Sequence, residues 1–180
     1  TTAEDAPLSI ALSGTDPDGD TLTYSATSPS SGTLTGSGAS VTYTPNADFS
    51  GLDSFTFTVN DGTTDSAAAT VSISVTAVND QPVAIAQAVT TAEDAPLSIT
   101  LSASDVEGSA LSYTVGSPAN GTLAGSAPNL TYTPTSDFNG SDSFTFTVND
   151  GTTDSAAATV SISVTAVNDA PVVSALPAPI

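Results

Sequence analysis

The 180-residue sequence contains no Lys, Arg, His, Cys, Met or Trp. Against that stand 19 Asp and Glu, for a formal net charge of −19. Each absence excludes a class of function. Without Lys or Arg there is no cationic grip on phosphate, which excludes nucleic-acid binding. The same absence removes attraction to anionic membrane surfaces. Without Cys or His there are no disulfides, no thiolate or imidazole metal ligands, and no Ser-His or Cys-His nucleophile. No apolar run is long enough to span a bilayer, so direct membrane insertion is not expected. Asp and Glu are the only side chains left that titrate near neutral pH or hold a cation.

What is present decides between folding and disorder. Leu, Ile, Val and Phe make up 38 of 180 residues, just above the level at which a highly charged chain is expected to be disordered. Pattern resolves the ambiguity. Leu8, Ile10 and Leu12 alternate with small or polar residues, as do Phe55, Phe57 and Val59, and Val71, Ile73 and Val75. A period of two marks half-buried strands with one wet face. Thr, Val and Ile favour strands, and Gly, Pro, Asp and Asn punctuate them.

The sequence TTAEDAPLSI at Thr1–Ile10 returns at Thr90–Ile99, and the offset of 89 holds without a gap. Residues 1–80 and 90–169 share 58 identities, and Asp53–Asp80 recurs unchanged as Asp142–Asp169. A period near 90 suits whole small domains in tandem. Short strands over that length predict an all-β fold: tandem β-sandwiches of about seven strands each. In the second copy the strands are expected near Pro82–Val89, Leu97–Ser102, Ala110–Val115, Gly121–Ala124, Asn129–Thr133, Ser143–Val148 and Ala156–Thr165. The organisation that follows is residues 1–80 as a repeat lacking its first strand, 81–169 as a complete repeat, and 170–180 as the start of a following repeat or a donor strand.

If each strand reverses the one before, strand parity assigns every acid to a pole. Glu4, Asp5, Asp48, Asp53 and Asp80 fall at the base of the first repeat, and Asp105, Glu107, Asp150 and Asp154 at the top of the second. Asp16, Asp18, Asp20, Asp61 and Asp65 top the first, and Glu93, Asp94, Asp137, Asp142 and Asp169 line the base of the second. Like charges inside one Debye length, ~8 Å at physiological salt, repel. Hard oxygen donors without nitrogen or sulfur select Ca²⁺, which takes roughly six to eight oxygens. Any single Asp is explained as well by turn formation and by solubility. Convergence of many carboxylates without a basic residue favours the metal. Asp16-Pro17-Asp18-Gly19-Asp20 is not an EF-hand, because its Gly is misplaced and the twelfth position is Thr27. The Phe and Tyr residues are expected in the core.

Glu4-Asp5-Ala6-Pro7, Asp16-Pro17-Asp18-Gly19-Asp20, Phe55–Gly62 and Val78-Asn79-Asp80-Gln81-Pro82 together resemble cadherin repeats. They are still more similar to the cadherin-like and Ig-like tandem repeats of large bacterial surface adhesins. The resemblance covers the whole chain and implies a Greek-key sandwich with calcium between successive domains. By matching position it implies Glu4, Asp53, Asn79, Asp80, Asp105, Glu107 and Asp150 as junction ligands. At the outer poles the candidates are Asp16, Asp18, Asp20 and Asp61 at the top, and Glu93, Asp142, Asn168 and Asp169 at the base. Ala77 stands where cadherins place an acid, and the linker is one residue short. That implies one or two ions per junction.

The expected function is an extracellular structural module, not an enzyme. It would be a calcium-stiffened spacer of a bacterial cell-surface adhesin, matrix protein or fibre, with neighbouring repeats as partners. Two alternatives stand beside it. The segment 170–180 could complete the first repeat of another copy and build a head-to-tail fibre. Or the loops could bind carbohydrate or protein.

Overall fold

The computed structural model describes residues 1–171. It contains strands and turns only, and no helix of the described residues is long and apolar enough to cross a membrane. The chain separates into two compact units, one ending at Asn79 and the other beginning at Asp80.

The first unit contains β1 (Thr2–Ala3), β2 (Leu8–Ala11), β3 (Thr23–Ala26), β4 (Gly32–Ser37), β5 (Ser40–Pro45), β6 (Gly51–Asn60) and β7 (Ala69–Thr76). One sheet runs β1-β7-β6-β3 and the other β2-β5-β4. The second unit contains β8 (Val83–Ile85), β9 (Gln87–Ala92), β10 (Leu97–Thr100), β11 (Ser102–Ser104), β12 (Ser112–Val115), β13 (Gly121–Ser126), β14 (Asn129–Pro134), β15 (Gly140–Asn149) and β16 (Ala158–Thr165). Its sheets run β12-β15-β16-β9 and β10-β14-β13, with β8 pairing β11 separately. The expected first strand is therefore divided between two sheets, with a break at Ala86. The expected second strand is likewise broken, at Leu101.

Neighbouring strands pair antiparallel, except that the first strand joins the last in parallel. That exception follows from parity, since the first and seventh of alternating strands point the same way. The ladder covers six residues in the second unit, Gln87–Ala92 against Val160–Thr165. In the first it covers only Thr2 and Ala3 against Val75 and Thr76.

The alternating apolar residues form the two cores. Val41, Tyr43, Phe55, Ile73 and Val75 are buried in the first, and Ile99, Tyr132, Phe144, Phe146, Val148, Val160 and Ile162 in the second. Burying each such side chain stabilises by roughly 1.5–3 kcal/mol. Gly32 and Gly121 let the tyrosine rings lie against the backbone: a Cβ at either would stand 2.4 Å from the Tyr43 or Tyr132 ring.

Candidate functional site

The base of the second unit gathers acids from three segments. Ala92–Ala95 forms a turn closed by Ala95 N–H to the Ala92 carbonyl, and Asp94 sits in it at φ 62°. Thr135–Phe138 forms a second turn, with Asp137 at φ 59° and Phe138 N–H on the Thr135 carbonyl. Asp169 follows the exit from β16. Asp94, Asp137 and Asp169 each place a carboxylate oxygen within 4.8 Å of the others, and all three are exposed. Asp137 N–H reaches Asp94 Oδ1 at 3.4 Å. Asn168 lies next in sequence and donates from its side chain to the Asp169 carbonyl at 3.3 Å. Partial desolvation, with the negative charges of Asp137, Asp94 and Glu93, pushes the Asp169 carboxyl above its ordinary value. Three carboxylates so placed are short of counter-charge, and the sequence offers no basic side chain to supply it.

Glu93 is different: it is buried and engaged. Its Oε1 accepts Val167 N–H, and its Oε2 accepts the Asn139 side chain at 3.2 Å. Its own N–H donates to the Thr165 carbonyl at 2.9 Å. Glu93 thus pins the segment leading into Asn168-Asp169. Glu4 does the same in the first unit, accepting Val78 N–H just before Asn79. Asp5 and Asp48 repeat the left-handed turn conformations at φ 58° and 57°.

At the top of the second unit Asp105 Oδ1 accepts Ser109 N–H at 2.7 Å, while its Oδ2 is shielded from solvent with no hydrogen bond. Glu107 Oε2 accepts Asp80 N–H at 3.2 Å. Asp150 Oδ1 accepts Thr152 N–H, the Thr152 hydroxyl and Thr153 N–H. The top of the first unit repeats the scheme. Asp16 Oδ1 accepts the N–H groups of Asp18 and Asp20, organising that loop around one carboxylate. Asp61 accepts from Thr64 and Thr63, which hold its carboxyl below the usual range. Asp16, Asp61 and Asp65 line one shallow depression there.

Asp53 and Asp142 depart from the ligand role expected of them. Both lie within strands, on β6 and β15, with side chains directed inward and buried. Asp53 accepts the Tyr43 hydroxyl at 2.8 Å, the Ser30 hydroxyl, and the N–H groups of Ser30, Ser31 and Ser54. Asp142 accepts the Tyr132 hydroxyl and the N–H groups of Ala119, Asn120 and Ser143. Burial works to raise both carboxyls, but the tyrosine hydroxyl and the N–H donors outweigh it and hold them below the usual value. The tyrosines are pushed the other way, Tyr43 to about 12, by burial and by the bonded carboxylate. With their lone pairs occupied inside the protein, these two carboxylates tie the sheets together in place of binding metal.

At the base of the second unit the structure brings Asp169 together with Asp94 and Asp137, with the Glu93 charge acting on Asp169, while Asp142 is engaged inside the fold. The family model of the bacterial Ig domain matches residues 1–74 and 79–163. The chain belongs to the bacterial Ig domain family. Its two Ig domains also share their fold with cadherin domains. Human CDH23 EC21-23 aligns at a TM-score of 0.58 and 16% identity, covering 91% of this chain and 70% of that one. The extracellular domains 1–5 of protocadherin gamma B2 align at 0.58 and 18%, covering 93% and 38%. The endo-fucoidan hydrolase MfFcnA4 from glycoside hydrolase family 107 aligns at a TM-score of 0.42 and 30% identity. The chain covers 93% of itself but only 27% of that hydrolase. No curated protein matches.

Proposed function

We propose that these Ig domains form a calcium-stiffened structural segment of an extracellular protein, a spacer and not a catalyst. The observation carrying the reading is the meeting of Asp94, Asp137 and Asp169 oxygens within 4.8 Å in a chain without a single basic side chain. The donors are all hard oxygens, which suits Ca²⁺. Asn168 and nearby carbonyls supply neutral oxygens to the same pole. Glu93 contributes by holding Val167 and so fixing where Asn168 and Asp169 emerge.

The consequence is mechanical. Without a cation the pole repels itself, and the strand exit at Val167–Asp169 is loosened. With Ca²⁺ bound, the turns at Asp94 and Asp137 and the exit at Asp169 become one rigid end. Glu4, Asn79, Asp80, Asp105, Glu107 and Asp150 are further candidate ligands. Asp16, Asp18, Asp20 and Asp61 are those at the first domain's top. A linker without Gly or a Ser run suits a rod. Small-angle scattering of the full chain, first with calcium and then with chelator, tests the reading. The expected result is a larger maximum dimension with calcium; identical curves and no bound ion would refute it.

A further inference from the structure

The two domains are close copies, yet the first is hollowed at a place where the second is filled. A cleft of about 200 Å³ lies between the end of β3 and the β4–β5 hairpin. Leu12, Tyr24 and Leu34 give it apolar wall, and Ser28, Thr35 and Ser37 add hydroxyls. No lining residue comes from β1 or β7, and β3 is the far edge of its sheet from β1. The segment 172–180, expected as part of a donor strand, lies outside the described residues.

The offset of 89 gives every lining residue a counterpart in the second domain. Where the pairs differ, the differences point one way. Ala26, Gly38 and Val41 stand for Val115, Ala127 and Leu130, and each carries less carbon. Thr27 and Thr35 stand for Gly116 and Ala124, and each brings a hydroxyl. Packing follows the composition. Val115 and Ala127 lie against the second core, whereas Ala26 and Gly38 are exposed. Tyr113 stacks on Phe146 with ring centroids 6.3 Å apart. Tyr24, half-buried, makes no such ring contact among the described residues. Thr27 is anchored, its hydroxyl accepting Thr56 N–H at 3.0 Å. No hydrogen bond among the described residues engages the hydroxyls of Tyr24, Ser28, Thr35 or Ser37.

We propose that this cleft binds a single neutral pyranose ring. Such a ring has an apolar C–H face and a rim of hydroxyls, and the cleft offers an apolar wall, a tyrosine ring and unengaged hydroxyls to match. A purely aliphatic ligand would leave those hydroxyls without partners, which costs affinity. A cation finds no carboxylate among the lining residues. The net charge of −19 disfavours uronic or sulfated sugars. The size selects one ring, since sites for larger ligands run from roughly 300 Å³ upward.

The test follows backbone amide resonances of the full 180-residue chain in chelator, so its outcome is separate from the calcium reading. D-glucose, D-galactose, D-mannose and N-acetyl-D-glucosamine are titrated in turn. At least one should give saturable shifts confined to residues 24–41, with a dissociation constant of about 1–10 mM for a ligand of roughly twelve to fifteen heavy atoms. The counterparts at 113–130 should stay still. The A26V/V41L variant installs the residues that the second domain carries, and should weaken binding by more than about tenfold. T35A removes a hydroxyl without filling the cleft, and should weaken it by about three- to tenfold. Absent or unsaturable shifts with all four sugars would overturn the proposal. So would equal shifts at 113–130, or binding unchanged in A26V/V41L and T35A.

Discussion

Tyr43 on β5 donates its hydroxyl to Asp53 on β6 at 2.8 Å, joining the two sheets of the first domain, and Tyr132 and Asp142 repeat the bond at 2.8 Å in the second. Each carboxylate also accepts N–H groups from the loop before β4 or β13. Charge-assisted bonds in a buried setting are the strong kind. Removing the hydroxyl leaves a buried carboxylate short of a donor. Tyr132→Phe should cost about 1–3 kcal/mol, read as a lower urea midpoint with an unchanged slope.

The same pair sets an acid limit. The Asp142 carboxyl is held below its usual value in the folded protein. Its stabilisation is therefore complete above the unfolded value, about 4, and is lost as pH falls through the folded value. Unfolding midpoints followed from pH 7 to pH 2 should drop below about pH 4. Asp142→Asn should be weaker at pH 7 and show a shallower fall.

Asp169 carries the opposite sign. Its carboxyl is raised by desolvation and by Asp137, Asp94 and Glu93. Its favourable contribution is present below the unfolded value and lost as pH rises through the folded one. In chelator at pH 7, Asp169→Asn should raise the melting temperature. In calcium the same substitution should reduce the gain the ion gives.

Gly121 faces the Tyr132 ring at 2.4 Å and the Thr133 carbonyl at 2.7 Å from an added Cβ. The carbonyl is backbone and cannot swing aside. Gly121→Ala should destabilise by about 1–3 kcal/mol through overpacking, measured by chemical unfolding.

Much of this was legible in the residues. The period of two marked the strands, whereas the parallel pairing of first and last strands is a finding of the structure. Asp53 and Asp142 were misread because β6 and β15 begin earlier than the apolar run suggests, at Gly51 and Gly140. Asp53 shares the inward parity of Phe55, and that register was the available signal. Strand parity puts Asp94 and Asp137 at the same pole as Asp169, but the sequence does not single them out as candidate ligands. Their contribution depends on two left-handed turns, which composition does not encode.

The central claim, a calcium site at the base of the second domain, is tested most directly by following side-chain carboxyl carbon resonances during a calcium titration of the full chain. The account predicts saturable shifts of Asp94, Asp137 and Asp169, reversed by chelator, with Asp142 unmoved. Shifts that grow without saturation and are matched by sodium chloride at equal ionic strength would contradict it.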